Sequence, residues 1–146
     1  FDLKYVDSNG VEQTPVVLHR AILGSLDRFM AYMIEETKGK FPVWLAPLQV
    51  KVLPVSEKTM DYAKQVNQAL EDANIRTQLD ERSEKIGYKI REARQIDRAP
   101  YMLILGAKEA EEGTISVRNR DTDETTVMNL NDFIAKVKNE IATRAR

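Results

Sequence analysis

Apolar and polar residues alternate along "FDLKYVD", break at "SNG", and give way to a longer apolar run in "TPVVLHRAIL". The pattern predicts two antiparallel strands joined by a turn at residues 8–10. From Ser25 the period becomes helical. Leu26, Phe29, Met30, Met33 and Ile34 fall at i, i+3, i+4, i+7 and i+8, with Ser25 placed as a cap and Gly39 as the stop. "GKFPVWLAP" then reads as a proline-punctuated connector carrying the only tryptophan.

A second pattern begins after Pro47. "QVKVLPV" predicts a strand, and Ser56 caps a helix whose inner face is Met60, Ala63, Val66, Leu70 and Ala73. "IRTQLD" predicts another strand, followed by a helix over residues 83–97 with Ile86, Ile90 and Ala93 inward. "YMLIL" is apolar throughout, as a central strand covered on both faces must be. "GTISVRNR" and "ETTVMN" read as a late strand pair, and Asn129 caps a final helix through Leu130, Phe133, Ile134, Val137 and Ile141. The expected fold is α/β: a mixed β-sheet flanked by helices, preceded by a β-hairpin and helix. The expected units are residues 1–47 and residues 48–146.

Composition narrows the function classes. With 31% charged residues and a formal net charge of −1, any nucleic-acid site must be a local basic patch. Without cysteine the chain forms no disulfide and supplies no thiolate to a metal. Its longest apolar runs are strand-sized, so no span of a membrane and no signal peptide is expected. The first residue is Phe, and the chain opens inside a strand pattern, so a piece of a longer protein is expected.

Two stretches carry candidate chemistry. In "HRAILGSLDRFM" the only histidine, His19, ends the apolar run, and Gly24 precedes a helix with Arg28 in its first turn. A helix N-terminus with a nearby arginine can hold an anion. A plain strand-to-helix turn with a solvated arginine fits the residues as well. Between Arg82 and Arg98 stand six basic and three acidic residues. Ser83, Gly87, Arg91, Arg94 and Arg98 fall on one helical column, which reads as an RNA-facing row or a solvated helix face. On "GTISVRNR" the alternation sets Thr114, Ser116, Arg118 and Arg120 on a polar, outward face, either functional or the charged edge of a sheet.

A family resemblance separates these alternatives. "PVVLHRAILGSLDRFMAYMIEE" with "FPVWLAPLQV" closely resembles motif 3 of class II threonyl-tRNA synthetases and its run into the anticodon-binding domain. The likeness continues through "DERSEKIGYKIREAR", "APYMLILGAKE" and "GTISVRNR". It implies that residues 1–47 end a catalytic core and residues 48–146 form the anticodon-binding domain of a threonine–tRNA ligase. Arg28 then matches the arginine that contacts ATP phosphates, and Ser25 a small residue beside the adenylate. His19 matches one zinc ligand whose two companions would lie upstream of Phe1. Zinc, and ATP with magnesium, belong to the whole enzyme, and this chain alone is expected to be inactive and to bind none.

The same resemblance assigns an anticodon-reading set. Glu109 and Arg118 match residues that read the middle anticodon base, a guanine, and Ser83, Arg91 and Arg98 lie around the adjacent uracil and the loop backbone. Ser83 stands where bacterial members often have asparagine, and "RQIDRAP" is one residue longer than in many relatives. The partners implied are tRNA(Thr), threonine and ATP, in a homodimer built by the catalytic core, working in the cytoplasm or an organellar matrix. The isolated chain is expected to be monomeric or to pair through residues 1–23. A stand-alone RNA-binding regulatory module is the alternative. A flavodoxin-like ligand-binding domain is a third reading, for which "LPVSEK" offers only a capping serine.

Overall fold

The computed structural model of the chain describes residues 2–145, so Phe1 of the expected first strand lies outside the described residues. Two compact units result, Phe1–Tyr32 and Met33–Arg146.

In the first unit, β1 (Tyr5–Val6) and β2 (Glu12–Gln13) pair antiparallel, Tyr5 opposite Gln13 and Val6 opposite Glu12. The turn between them is tied by Asp7, whose Oδ1 accepts from the N–H groups of Asn9 at 2.8 Å and Val11 at 3.0 Å. Those donors, Val11 first, hold the Asp7 carboxyl below its usual range. Gly10 supplies the left-handed φ of +76° that the turn needs. Residues 14–23, expected to form a long second strand, adopt no regular structure, and Val16, Val17, Leu18, Ile22 and Leu23 are exposed. Apolar β-branched residues favour a strand only where a neighbouring strand accepts their hydrogen bonds and covers their side chains. Among the described residues no such neighbour meets them.

Helix α1 (Leu26–Thr37) forms where the period predicts it, and the boundary between the two units falls within it. No residue of α1 is buried, so its apolar stripe is at best half-covered. The Ser25 carbonyl accepts from Phe29 N–H at 3.0 Å, and α1 ends in left-handed residues Lys38 and Gly39.

The second unit is a five-stranded mixed sheet. Its strands are β3 (Val50–Pro54), β4 (Thr77–Leu79), β5 (Tyr101–Leu105), β6 (Thr114–Asn119) and β7 (Thr125–Asn129), in the order β4-β3-β5-β6-β7. β3 runs parallel to β4 and β5, whereas β6 is antiparallel to both β5 and β7. The helices are α2 (Met60–Asp72), α3 (Ile86–Gln95), the short α4 (Ala107–Glu112) and α5 (Leu130–Thr143).

Strand alternation sorts the core into two layers. Val50, Val52, Leu103, Leu105, Ile115 and Val117 pack with Ala63, Val66 and Leu70 of α2 and with Phe133 and Val137 of α5. Leu53 and Met102 point the other way, onto Ala93, Ile86 and Ile90 of α3. β5 is therefore covered on both faces over most of its length, which is why "YMLIL" carries no charged residue. Tyr101 meets Phe133 edge to face at 5.4 Å, and its hydroxyl donates to Glu140 Oε1 at 2.8 Å.

Local caps differ in how well the chain foretells them. Asn129 caps α5 as expected, its side chain accepting from Asn131 N–H at 3.0 Å. Ser56 instead opens a single 3-10 turn, Glu57–Thr59, before α2 begins. Helix α3 starts at Ile86 rather than Ser83, and it stops at Gln95. The connector belongs to the second unit. Buried Gln49 donates to Val43 O at 2.8 Å, and Arg76 Nε and Nη2 donate to the carbonyls of Ala46 at 2.9 Å and Trp44 at 3.0 Å.

Several carboxylates are held below their usual range: Asp80 mainly by the Arg82 guanidinium, Asp121 mainly by Arg120, and Glu109 mainly by the Ser116 hydroxyl. A carboxyl whose folded pKa is depressed adds stability that is present above its unfolded value, near 4, and is lost as pH falls through the folded value. The melting temperature should therefore be level above about pH 5 and fall below about pH 4. Asp80→Asn should lower the neutral value and flatten the acid limb. Circular-dichroism melts from pH 7 to pH 3 check this, and an undiminished acid limb in the variant would contradict it.

Candidate nucleic-acid interface

The two faces of the sheet are covered unequally. The α2 and α5 layer closes one face, whereas α3 on the other covers Leu53 and Met102 and leaves the β6–β7 side open. Register places Ser116 opposite Ile104 and Val127, and Arg118 opposite Met102 and Thr125. Because cross-strand partners share a face, these residues point to the α3 side. Val127 and Thr125 are exposed, Arg118 and Ile104 half-buried. The result is an open, partly polar platform beside α3.

Glu109 stands at one end of the platform. Its Oε2 accepts from Gly106 N–H at 2.9 Å, closing the start of α4, and its Oε1 accepts from Ser116 Oγ at 2.7 Å. A Cβ on Gly106 would lie 2.9 Å from that Oε2, so glycine makes room for the carboxylate. The Ser116 hydroxyl, more than the Gly106 N–H, holds the Glu109 carboxyl below its usual range. A carboxylate offers about four lone-pair positions, so Glu109 retains acceptor capacity after both bonds.

Arg118 stands at the other end. Its Nε and Nη2 donate to Asp123 Oδ1 at 2.8 and 2.7 Å, while Arg94 Nη1 on α3 donates to Asp123 Oδ2 at 3.0 Å. One carboxylate thus ties β6 to α3. Arg94 faces the platform, and by helical spacing Arg91 and Gly87 share its flank, all three exposed.

Arg98 lies elsewhere. It falls after α3 with a left-handed φ of +52°, so it does not continue the helical column. Its Nη1 donates to the carbonyl of Lys38, and a Cβ on Gly39 would collide with its guanidinium. With Lys38, Lys40, Arg94, Gln95 and Arg120 it lines an open depression of about 560 Å³. Of these, Arg94 is also part of the platform. Ser83 is exposed in the loop before α3, outside the helix expected to hold it, and lines a separate depression of about 310 Å³ near Val55 and Ser56.

Arg120 corrects the sequence reading outright. β6 ends at Asn119, so the alternation no longer applies, and Arg120 turns inward to 4% exposure. Its Nη1 donates to the carbonyls of Arg98 at 2.7 Å and Phe41 at 3.2 Å, and Nε and Nη2 pair with Asp121. It is a strut between the connector and the sheet. β6 is likewise internal, between β5 and β7, and not a charged edge.

Three features escaped the sequence reading. α4 is too short for a clear period, although Glu109 three residues after Gly106 is a capping-box spacing. Asp123 sits in a turn with no pattern of its own. Buried Lys89 donates to the carbonyls of Asp80 at 3.1 Å and Pro54 at 3.4 Å, on a position that helical spacing alone leaves between faces.

In the first unit Ser25 and Arg28 flank the start of α1, both exposed, as is His19 in the irregular stretch 14–23. Among the described residues no three His, Cys, Asp or Glu side chains come together as a metal site. His19 is thus a single donor, and the residues present do not by themselves fit zinc. No helix among the described residues is long and apolar enough to cross a membrane.

Known proteins resemble this chain throughout. It is 50% identical over 144 residues to the threonine–tRNA ligase of Clostridioides difficile, and 49% over 145 residues to that of Caldanaerobacter subterraneus subsp. tengcongensis. Each match takes in 99% of this chain and 22% of the relative, so the chain spans about a fifth of the curated relatives' length. The RNA-binding domain of threonyl-tRNA synthetase from Cryptosporidium parvum superposes with a TM-score of 0.78 at 38% identity, over 94% of this chain and 34% of that one. Prolyl-tRNA synthetase from the same organism shares the fold, with a TM-score of 0.63 at 21% identity over 70% of this chain and 22% of that one. Residues 49–140, which include β3 to β7, the platform and most of α5, match the family model described as anticodon binding domain, and the chain belongs to that family.

Proposed function

We propose that this chain is the tRNA-reading part of a threonine–tRNA ligase, and that the platform between Glu109 and Arg118 receives the anticodon loop of tRNA(Thr). The observation that carries the reading is the pairing of opposite chemistries on one open sheet face. Arg118 has N–H donors beyond those given to Asp123, and donors of this kind suit the O6 and N7 acceptors of guanine. Glu109 is ionised with acceptor capacity left, which suits the N1–H and N2–H donors of the same base. Exposed Arg91 on α3 would meet the loop backbone, and Arg98 the strand beyond it. Ser83, in its separate depression, contributes at most to the neighbouring base. The identity to threonine–tRNA ligases supports the choice of amino acid.

In this reading residues 1–47 close a catalytic core and residues 48–146 form the reader. Arg28 and Ser25 would contribute ATP and adenylate contacts, and His19 one ligand of a zinc site completed by residues outside the chain. The whole enzyme would act as a homodimer in the cytoplasm or an organellar matrix, using threonine and magnesium-bound ATP. The test is a fluorescence titration of the 146-residue chain with two RNA stem-loops. One carries the threonine anticodon with its middle guanine, and the other has adenine there. Tighter binding to the guanine form by about 5-fold or more is expected from a bidentate base contact. Equal binding to both would overturn the reading.

A further inference from the structure

The side chain that joins the platform to α3 is Asp123, and nothing about its sequence position marks it. The turn that presents it is tightly built. Asn119 Oδ1 accepts from the N–H groups of Asp121 at 2.7 Å and Thr122 at 3.1 Å. Asp123 N–H donates to Asn119 O at 3.1 Å, and Asn119 N–H to Glu124 O at 3.0 Å. Asp123 itself takes a left-handed φ of +62°, a conformation that L residues other than Asn and Asp rarely adopt. Its two oxygens then divide between two arginines on different elements, Oδ1 to Arg118 on β6 and Oδ2 to Arg94 on α3.

The geometry of the pair matters for base reading. Arg118 commits Nε and one N–H of Nη2 to the carboxylate. A guanidinium has five N–H donors, so one Nη1 and one Nη2 hydrogen remain as a parallel pair on its end, next to the edge that Asp123 holds, and the other Nη1 hydrogen points back toward Cδ. That parallel pair has the two-donor spacing that a guanine O6/N7 pair requires. A long side chain loses rotamer freedom when it docks, and Asp123 removes much of that loss in advance. It also neutralises one of the two charges, which lowers attraction to any phosphate whatever the sequence.

We propose that Asp123 is a specificity-determining positioning residue. It holds Arg118 with one donor edge presented to a base, and keeps both Arg118 and Arg94 from serving as free phosphate clamps. It therefore exchanges general RNA affinity for discrimination. The inference rests on the base-reading function proposed above.

The test uses the whole chain, the same two stem-loops, and the variants Asp123→Asn and Asp123→Glu. For Asp123→Asn the preference for guanine over adenine should fall about 5-fold or more, the lower range of one bidentate contact. Affinity for the adenine loop should hold or rise, and the slope of log K against log salt should steepen by about one phosphate contact. Asp123→Glu, which keeps the charge, should recover part of the preference. Two results would overturn the inference: both loops bound more tightly with the preference unchanged, which makes Asp123 a simple competitor, or both weakened equally, which makes it only structural. An unchanged preference in Asp123→Asn, which keeps the left-handed turn but loses the charge, would overturn it whatever happens to the affinities. If the wild-type chain itself shows no preference, the base-reading function fails first, and that is seen before either variant is made.

Discussion

Arg120→Ala should lower the stability of the second unit by about 2–4 kcal/mol, more than any other change of a charged residue considered for this chain. The side chain is 4% exposed and satisfies two backbone carbonyls, Phe41 O and Arg98 O, that come from segments far apart in the chain. Removing it takes a charged donor from both part-buried acceptors, and hydrogen bonds from such a donor contribute about 1.5–3 kcal/mol each. Its ion pair with Asp121 counts for less, because the carboxylate is 53% exposed and regains water. The loss should appear as a fall in melting temperature of roughly 10 °C. Urea unfolding monitored by tryptophan fluorescence adds a local reading, since Trp44 lies in the connector that Arg120 anchors. A variant that melts with the wild type would show the connector to be held by Gln49 and Arg76 alone.

Arg118→Ala should leave that stability nearly unchanged and weaken guanine-loop binding by about 1–3 kcal/mol, roughly 5- to 150-fold. Arg118 is half-buried, and its partner Asp123 is exposed enough to be resolvated. The pair therefore adds little to folding, whereas the lost donor edge has no substitute on the platform. Binding to the adenine loop should fall much less. A uniform loss across both loops, with a salt slope lower by about one, would make Arg118 a phosphate contact. The two arginines stand two positions apart on one strand pattern, yet one change is expected in melting and the other in recognition.

That contrast shows where sequence reading reaches its limit. Alternation along "GTISVRNR" is a property of a strand, and it holds while β6 lasts. Arg120 falls one residue past the end of β6, where its N–H bonds to Pro100 O and its side chain turns inward. The Asn/Asp-rich run "NRDTDE" announces a turn, but the stop at Asn119 itself follows from how that turn carries Asp123 back to Arg118. Helix α3 tells the same story. The spacing of Ile86, Ile90 and Ala93 identifies its inner face, but the start at Ile86 rather than Ser83 depends on the preceding loop. There Asp80 is engaged by Arg82. Helical spacing alone puts Arg98 on the column, whereas its left-handed backbone takes it toward Lys38.

The sequence by itself determined the types of the elements and their order in the second unit, since periods of 2 and 3.6 arise from local backbone geometry. It also carried the family likeness, through motifs long enough to be specific, and with it Glu109 and Arg118 as candidates. Only the tertiary structure decided which polar residues are struts and which are free to meet a ligand. It joined Arg94 and Arg118 through one carboxylate and buried Arg120 and Lys89 against carbonyls. It left residues 14–23 without a strand although their side chains favour one. The reason is the same in each case. Propensity acts between near neighbours in the chain, whereas burial and hydrogen-bond satisfaction depend on partners brought from far along it.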